Sequence, residues 1–588
     1  MTMRRAKIVC TLGPASDDRA TVRALADAGM SVARLNASHG TTEDRGELID
    51  TIRTVDDATD RPLAAMLDLQ GPEVRTAEID EPIRLETGSQ VRFVEGDTAT
   101  PEEVGLSYSI ASAEAGDVVL LDDGRIHTTV DRVTDDGAVI ARVDSGGQLS
   151  SRKGVNVPGV ELGLDTITER DEAELDLAAE AEVDFVAASF VRDAEDVYAV
   201  SDALDERGAG DIPIVSKIER AGAVENLAGI VEASYGVMVA RGDLGVECPL
   251  EDVPMIQKRI IRTCVNSGTP VITATEMLDS MVHSRRPTRA EASDVANAVL
   301  DGTDAVMLSG ETAVGDHPVR VVETMHRIVR QVENSEEYAE TREARVPNAE
   351  GDSRTEALAR SARYLARDTD AAGVVAASES GYTARKTAKF RPGVPVVATT
   401  PNDHVRRQLA LSWGVRPMYS DYSAGVESIM DSAVSAALEA GVARSGDTLV
   451  VLSGMMTELE GTNTTNTLKL HVAAETVATG RTVVGGRVAG PIRRVRDGDL
   501  SEFPDGGLAI LSADFEGEFV GDTGKLGGIV DARPGMTGYP ALVARERGIP
   551  MVSGAPIPPE IADDSTVTLD AERGVVYEGN IMAHAGER

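Results

Sequence analysis

Basic residues are scarce in this chain. Its 588 residues hold 58 Lys and Arg against 98 Asp and Glu, a formal net charge of −40. Lysine is the rarer cation, confined to Lys7, Lys153, Lys217, Lys258, Lys386, Lys389, Lys469 and Lys525. A chain so acidic repels nucleic acid, which is not expected as a partner. The acidic residues are scattered over many segments instead of gathered in a tail. An ordinary acidic enzyme is the plain explanation. The sharper one is adaptation to concentrated salt, where the Debye length falls to about 3 Å and a self-repelling surface is tolerated. Cysteine is nearly absent, with three residues, Cys10 and Cys264 among them, which argues against a disulfide scaffold. No run of about 20 apolar residues occurs, so no membrane span is expected. The first residues pass from Arg4, Arg5 and Lys7 straight into Ile8-Val9-Cys10-Thr11-Leu12, without the longer apolar stretch and cleavage site of a secretory signal. The expectation is a cytoplasmic protein of three or four domains, with 42% hydrophobic residues to fill ordinary cores.

Short apolar runs recur along the first 311 residues: Lys7–Gly13, Val32–Ser38, Leu63–Leu69, Phe185–Val191, Pro213–Glu219, Gly236–Gly242, Pro270–Glu276 and Ala305–Glu311. Most intervals are about 25 to 35 residues, the length of a βα unit. Eight such units predict an α/β fold of the (β/α)8 type, a TIM barrel. The interval from Leu69 to Phe185 is far longer, and its runs Gln90–Val94, Asp117–Leu121 and Ala138–Val143 read as an inserted small β domain.

Chemistry in such barrels sits at the C-terminal strand ends. Here those ends carry Asn36 and Ser38, Asp68, Ser189, Lys217 and Glu219, Asp243, Thr275, and Ser309 with Glu311. Ordinary helix caps and turn residues explain any one Ser or Asp. They explain poorly a lysine, several carboxylates and several hydroxyls on one rim. Glu219 and Asp243, on successive strand ends, suit a hard divalent cation that completes its shell with water and substrate oxygens. Lys217 stands two residues before Glu219, on the same strand face. Beside a metal and an anionic substrate it can neutralise charge that passes between two phosphate acceptors. Arg34 offers a fork for a phosphate. Gly242 lets backbone approach a ligand, and Thr275 could carry a proton by way of water. These residue types point to phosphoryl transfer with an enolate intermediate, without naming the substrate.

The stretches that name it are longer. Met30 to Gly40 (MSVARLNASHG), Asp68 to Thr76 (DLQGPEVRT), Ser216-Lys217-Ile218-Glu219, Met238 to Gly245 (MVARGDLG), Ile272 to Met281 (ITATEMLDSM) and Asp301 to Thr312 (DGTDAVMLSGET) resemble, in order, the motifs of pyruvate kinases. The resemblance covers roughly residues 4 to 475. It implies transfer of the phosphoryl group of phosphoenolpyruvate to ADP, giving pyruvate and ATP. It further implies that Arg34 holds the substrate phosphate and that Lys217 sits at the transferring group and stabilises the enolate. Glu219 and Asp243 would bind Mg²⁺ or Mn²⁺. Thr275 would lie near the methylene carbon, and Gly242 beside the substrate. Asn36, Ser38, Asp68 and the carbonyl of Leu69 would surround K⁺. Arg75, His39 and Asn36 belong to the phosphate and nucleotide region. The chain departs from the family's usual Asp-Thr-Lys at Asp68-Leu69-Gln70, where leucine keeps the carbonyl and loses the hydroxyl. At Glu73 it carries the residue of potassium-requiring members, where potassium-independent members carry Lys.

By the same resemblance, residues 1–71 and 159–345 form the barrel, and 72–158 a lid that closes over its mouth, with Asp123 contributing on closure. Residues 346–480 form an α/β effector-binding domain. There Ser378, Ser380 and Thr383, between a strand and a helix, would present hydroxyls to a phosphorylated activator; an ordinary capped helix start is the alternative. A homotetramer is also implied. Residues 485–588 resemble the swivelling phosphohistidine domain of phosphoenolpyruvate-utilising phosphotransferases, chiefly in Gly535 to Pro550. That family reads Thr-Ser-His where this chain has Thr537-Gly538-Tyr539, so the phosphorylated histidine is expected to be missing and the tail to be structural or regulatory. A phosphoenolpyruvate synthase-type phosphotransferase would explain the tail but needs that histidine and an ATP-grasp region. A non-catalytic relative would not need Arg34, Lys217, Glu219, Asp243 and Thr275 together.

Overall fold

Each of the eight apolar runs forms a strand in the computed structural model, which describes residues 4–351, 353–421, 426–454 and 465–582. The strands are β1 (Lys7–Thr11), β2 (Val32–Asn36), β3 (Ala64–Asp68), β4 (Phe185–Ala188), β5 (Ile214–Ile218), β6 (Gly236–Ala240), β7 (Val271–Ala274) and β8 (Ala305–Leu308). They close into a barrel in sequence order, with β8 pairing back onto β1 and every pairing parallel. One main helix follows each strand: α1 (Arg19–Ala28), α2 (Thr42–Asp56), α3 (Glu169–Glu180), α4 (Ala194–Glu206), α5 (Leu227–Ala233), α6 (Val253–Ser267), α7 (Arg289–Asp301) and α8 (Pro318–Glu333). A further helix, α9, spans Glu336–Ala344.

Local sequence explains where these helices begin and end. Thr288 caps α7 in a reciprocal pair with Glu291, and Gly302, at φ 102°, ends it in the left-handed region that glycine enters freely. The strands alternate between two apolar layers. Val9, Val32, Met66, Phe185, Met238 and Met307 fill the barrel interior, while Ile8, Leu35, Leu67, Val186 and Val239 face the helices. Ala410 and Leu411, from a distant part of the chain, join the interior cluster.

The chain divides into two compact units. One comprises Met1–Ala349 with Ala388–Arg391 and Asn402–Pro417; the other Glu350–Thr387, Pro392–Pro401 and Met418–Arg588. Within the first, the insert holds a seven-stranded sheet and a two-stranded ribbon, with no helix among its described residues. Its own core runs from Val74 through Phe93 and Val119 to Val157. In the second unit Gly373–Ala377 lies parallel between Val396–Thr400 and Thr448–Gly454, and Thr465–Val472 adds an antiparallel strand. The same unit contains an eight-stranded sheet built from residues 476–578. Among the described residues no helix is long and apolar enough to cross a membrane.

Candidate active site

The rim of the barrel gathers charge at the ends of β2, β3, β5 and β6. Lys217, next to last in β5, points its Nζ at Ser189 Oγ (2.7 Å), Glu219 Oε1 (2.9 Å) and Asp68 Oδ1 (3.3 Å). Arg34, on β2, grips the other Asp68 oxygen at 2.5 Å through Nε and donates to Thr11 Oγ1 at 2.8 Å. Glu219 Oε2 accepts the backbone N–H of Phe190 at 2.6 Å, and Ser189 donates to the carbonyl of Leu69 at 2.7 Å. Burial alone would discharge Lys217, but the carboxylates of Asp68 and Glu219 outweigh it and hold the ammonium above its ordinary value. For Asp68, too, burial acts upward first, yet Arg34 and Lys217 bring it below the usual carboxylate range.

Asp243 stands apart from this balance. It lies in a short helix, Arg241–Glu247, directly after β6, and no described residue donates a hydrogen bond to its carboxylate. Burial, then the charge of Glu219, push it up to about 7, with Glu73 and Asp123 adding to the rise and Lys217 opposing it. A buried acid with surplus negative charge around it fits a cation. Glu219 and Asp243 form a hard oxygen donor set of the kind Mg²⁺ takes. Among the described residues no group of three or more Asp, Glu, His and Cys is gathered for a metal, so substrate and water would supply the remaining oxygens.

Thr275 occupies a strained turn. Its φ is 64° and that of Glu276 is 54°, left-handed values that β-branched and bulky residues rarely adopt. The Arg241 guanidinium holds the turn, donating from Nε to the carbonyl of Ala274 (2.9 Å) and from Nη2 to that of Thr275 (2.6 Å). Asp294, on α7, fixes the guanidinium in turn through Nη1 at 2.6 and 2.8 Å. The Thr275 hydroxyl donates to Ala274 O (2.7 Å) and accepts the N–H of Gly242 (2.9 Å). A Cβ built on Gly242 would meet Thr275 only at 3.7 Å, so nothing in the protein demands glycine there and the need would have to come from a ligand. Glu311 is spoken for by the N–H groups of Leu278 and Ser309.

Asn36 and Asp68 are register partners on β2 and β3, so the four oxygen-bearing positions Asn36, Ser38, Asp68 and Leu69 share one stretch of rim. Asn36 Oδ1 accepts the N–H of Ser38 at 3.1 Å, and both Asp68 oxygens already face cations. Glu73 forms an ion pair with Arg75 at 2.6 Å, yet burial still pushes its carboxyl up, so Arg75 does not fully offset its charge. Asn36, His39 and Arg34 line a cleft of about 880 Å³ with Thr11, Gly13 and Ser309; Arg75 is not in its lining. Burial depresses His39, and Arg75, Arg34 and Arg170 depress it further, a concentration of positive charge that suits phosphates.

In the second unit, Ser378 to Thr383 join the strand Gly373–Ala377 to a helix starting at Tyr382. The Ser378 hydroxyl accepts the N–H of Thr383 (3.3 Å), the Thr383 hydroxyl meets that of Thr465 (2.7 Å), and Ser380 is exposed. Thr537-Gly538-Tyr539 leads into the helix Tyr539–Arg547, with Gly538 as its N-cap. Arg241, Asp294, Thr11 and the Phe190 N–H were not legible as site residues beforehand. Arg241 lies inside a quoted motif, but Asp294 has no local signal.

Three family sequence models match the chain: the pyruvate kinase barrel domain over residues 3–322, the pyruvate kinase alpha/beta domain over 356–471, and the mobile domain of PEP-utilising enzymes over 510–574. Among curated proteins it is similar to pyruvate kinases of Bacillus licheniformis (39% identical over 584 residues), Geobacillus stearothermophilus (40% over 585) and Staphylococcus epidermidis (41% over 587). Each of these alignments covers 98% of this chain and 99% of the relative.

Proposed function

The chain belongs to the pyruvate kinase family, a phosphotransferase that passes the phosphoryl group of phosphoenolpyruvate to ADP, and we propose that its residues divide that work as follows. Arg34 receives the substrate phosphate in its fork. Lys217 faces the transferring group and the enol oxygen that it leaves. As the phosphorus–oxygen bond to that oxygen breaks and one to a terminal ADP oxygen forms, the ammonium offsets the charge moving between them. The enolate of pyruvate is then protonated at its methylene carbon beside Thr275. Because that hydroxyl already donates to Ala274 O, Thr275 acts by orienting a water. Glu219 and Asp243 hold Mg²⁺ or Mn²⁺, whose charge would withdraw electron density from the phosphoryl oxygens. Asn36, Ser38, Asp68 and the Leu69 carbonyl hold K⁺, and Glu73 makes the activity K⁺-dependent. The nucleotide enters the cleft lined by Asn36 and His39, with Arg75 near its phosphates.

The observation that carries this reading is the ammonium of Lys217, ion-paired to Glu219 and Asp68 beside Arg34 at the mouth of a parallel barrel. Incubating the protein with phosphoenolpyruvate, ADP, Mg²⁺ and K⁺ should yield pyruvate and ATP. Pyruvate and ATP formed only when AMP and phosphate replace ADP would point to the synthase type of reaction, and no turnover would refute a catalytic role.

Residues 72–158 act as the lid over the 1–71 and 159–345 barrel. Residues 346–480 take a phosphorylated effector at Ser378, Ser380 and Thr383, and the chain works as a cytoplasmic homotetramer. Residues 485–588 retain the mobile-domain fold without a phosphocarrier, since tyrosine, with a pKa of about 10, does not replace an imidazole nucleophile. The acidic composition is an adaptation to salt. Only Lys469 of the eight lysines is exposed, as expected where surface lysine has been removed and paired or buried lysine kept. Activity that falls steadily as KCl is raised from dilute buffer would refute the last point.

A further inference from the structure

We propose that Asp171, on helix α3 and not on the rim, is a positioning residue for the phosphoryl transfer, holding Gly71 against the partners of Lys217 and Glu219. It rests on the division of work given above and adds the residue that keeps one wall of that site in place.

Asp171 is 1% exposed, and among the described residues it pairs with no cation. An ionised carboxylate so placed needs its lone pairs taken up by donors. Oδ2 accepts the N–H of Thr168 at 3.0 Å and the Thr168 hydroxyl at 2.7 Å, while Thr168 Oγ1 accepts the N–H of Asp171 at 3.1 Å. That much is a capping box, and it starts α3. The box asks nothing of Oδ1. That oxygen accepts instead the N–H of Gly71 at 3.1 Å, 100 residues earlier in the chain. Gly71 stands where the chain leaves the barrel for the insert, and Thr168 where α3 begins after its return. One buried carboxylate therefore staples both passages together.

Helix α3 is a firm base for the staple. Arg45, on α2, donates from Nε to Glu174 at 2.8 Å, and Thr42 Oγ1 donates to the same carboxylate at 2.7 Å. Both Arg45 and Glu174 are buried. On its other side Gly71 packs directly onto the site. Its φ is 72°, and a Cβ there would lie 2.8 Å from Ser189 Cβ and 3.2 Å from Phe190 Cδ2, so glycine alone fits. Those two neighbours belong to the rim cluster. Ser189 Oγ accepts from Lys217 Nζ and donates to the Leu69 carbonyl, each at 2.7 Å, and the Phe190 N–H donates to Glu219 at 2.6 Å. Contact thus runs from Asp171 through Gly71 to Ser189 and Phe190, and from them to the ammonium and the metal-facing carboxylate. Without the carboxylate the buried Gly71 N–H loses its acceptor, and the segment can regain one only by lifting away from Ser189.

Steady-state kinetics and melting curves of the full chain, at saturating ADP, Mg²⁺ and K⁺, separate the staple from the cap. Asp171→Ala removes both. It should lower kcat about tenfold, within the hundredfold or so that a misplacement of about 1 Å costs. The KM for phosphoenolpyruvate should change less than about threefold, because Arg34 is untouched. Asp171→Glu keeps the acid usual at that cap position, and with it the helix start, but carries the carboxylate past Gly71. It should lose kcat likewise while melting near the parent. Thr168→Ala breaks the cap and spares the staple, so it should melt earlier with kcat unchanged. Asp171→Asn can keep an amide oxygen on the Gly71 N–H and turn its NH₂ to Thr168 Oγ1, and should retain most of the rate. The proposal is overturned if kcat survives in Asp171→Ala or Asp171→Glu, if Thr168→Ala is as slow as Asp171→Ala, or if Asp171→Asn is as slow as Asp171→Ala. An unsubstituted chain that makes no pyruvate would instead defeat the functional reading, and this proposal with it.

Discussion

Arg241→Lys should lower kcat and leave the KM for phosphoenolpyruvate nearly alone. Thr275 and Glu276 both sit at positive φ, and each such residue costs roughly 1–3 kcal/mol, so the turn stores about 2–6 kcal/mol. Two charge-assisted bonds from Arg241 to the carbonyls of Ala274 and Thr275, each worth about 1.5–3 kcal/mol, are of a size to hold it. A lysine is a single point of charge on a flexible stem and cannot span both carbonyls and Asp294 at once. The turn should then relax, carrying the Thr275 hydroxyl away from the Gly242 N–H. Misplacement by about 1 Å costs on the order of a hundredfold in rate, so a fall in kcat of about 10- to 100-fold is expected. Arg34 and Lys217, the proposed phosphate contacts, are untouched, which is why KM should hold. Asp294→Asn, which weakens the anchor without removing it, should show a smaller loss of the same kind. Steady-state kinetics at saturating ADP read both parameters. An unchanged kcat in Arg241→Lys, or a loss confined to KM, would refute the clamp.

Four further outcomes follow from the same charges. Lys217→Met leaves Glu219 buried with only the Phe190 N–H, while Asp68 keeps Arg34; one orphaned charge costs about 3–5 kcal/mol. The variant should therefore melt earlier, recover in part with Mg²⁺ and lose pyruvate formation by at least about a thousandfold; an unchanged melting curve would contradict the ion-pair geometry. Because Asp243 is pushed up to about 7, a divalent ion must displace its proton at lower pH, and affinity should fall about tenfold per unit below that point. Without the ion the native chain holds a proton there that the unfolded chain releases from about pH 4, so stability should decline as pH rises through that window. Calorimetry and melting across pH check both signs. Exchange of K⁺ for tetramethylammonium at matched ionic strength should cost most of the activity, and Glu73→Lys should lessen that loss; equal rates in both salts would rule out the requirement. Finally, burial lowers Lys7 from 10.5 to about 7, with its Nζ donating to the Val415 carbonyl at 2.6 Å. Between those values the unfolded chain carries a proton that the native one lacks, so stability should rise with pH across the interval. Lys7→Met should flatten that rise in melting curves.

The barrel was readable because each strand is an uninterrupted apolar run ending in polar residues, and eight such βα units are the number that closes a barrel. The rim residues were readable for the same reason: Lys217, Glu219 and Asp243 occupy the positions where strand gives way to loop. Two things were hidden, and a third was legible but unread. The second unit does not take all of the chain after residue 349, since Asn402–Pro417 clusters with the barrel and lends it Ala410 and Leu411. Their apolar character is what any buried segment would show, and nothing in it names the cavity they fill. Asp294 looks like one more acidic residue on an amphipathic helix until the fold brings it to Arg241. The charge of Glu73, which from sequence alone asked for an external cation, meets Arg75 two residues along the same segment. Adjacent residues of a β segment that skip one position share a face, so that pairing was available to inspection.

Scarcity of lysine proves a weaker guide to chemistry than to burial. Lys7 and Lys389 are buried, and Lys153, Lys258 and Lys386 are half-buried in ion pairs with Asp122, Asp301 and Glu356. None of them takes part in the rim cluster. A retained lysine therefore marks a place where an ammonium has a partner or a dry stem, which is true of Lys217 and of several others. What distinguishes Lys217 is the company at its tip: two carboxylates of different strands and a hydroxyl of a third, within 3.3 Å of one nitrogen. Two negative charges would over-neutralise a single ammonium were Arg34 not sharing Asp68. The uncompensated charge thus falls on the side of Glu219 and Asp243, where a divalent cation would sit.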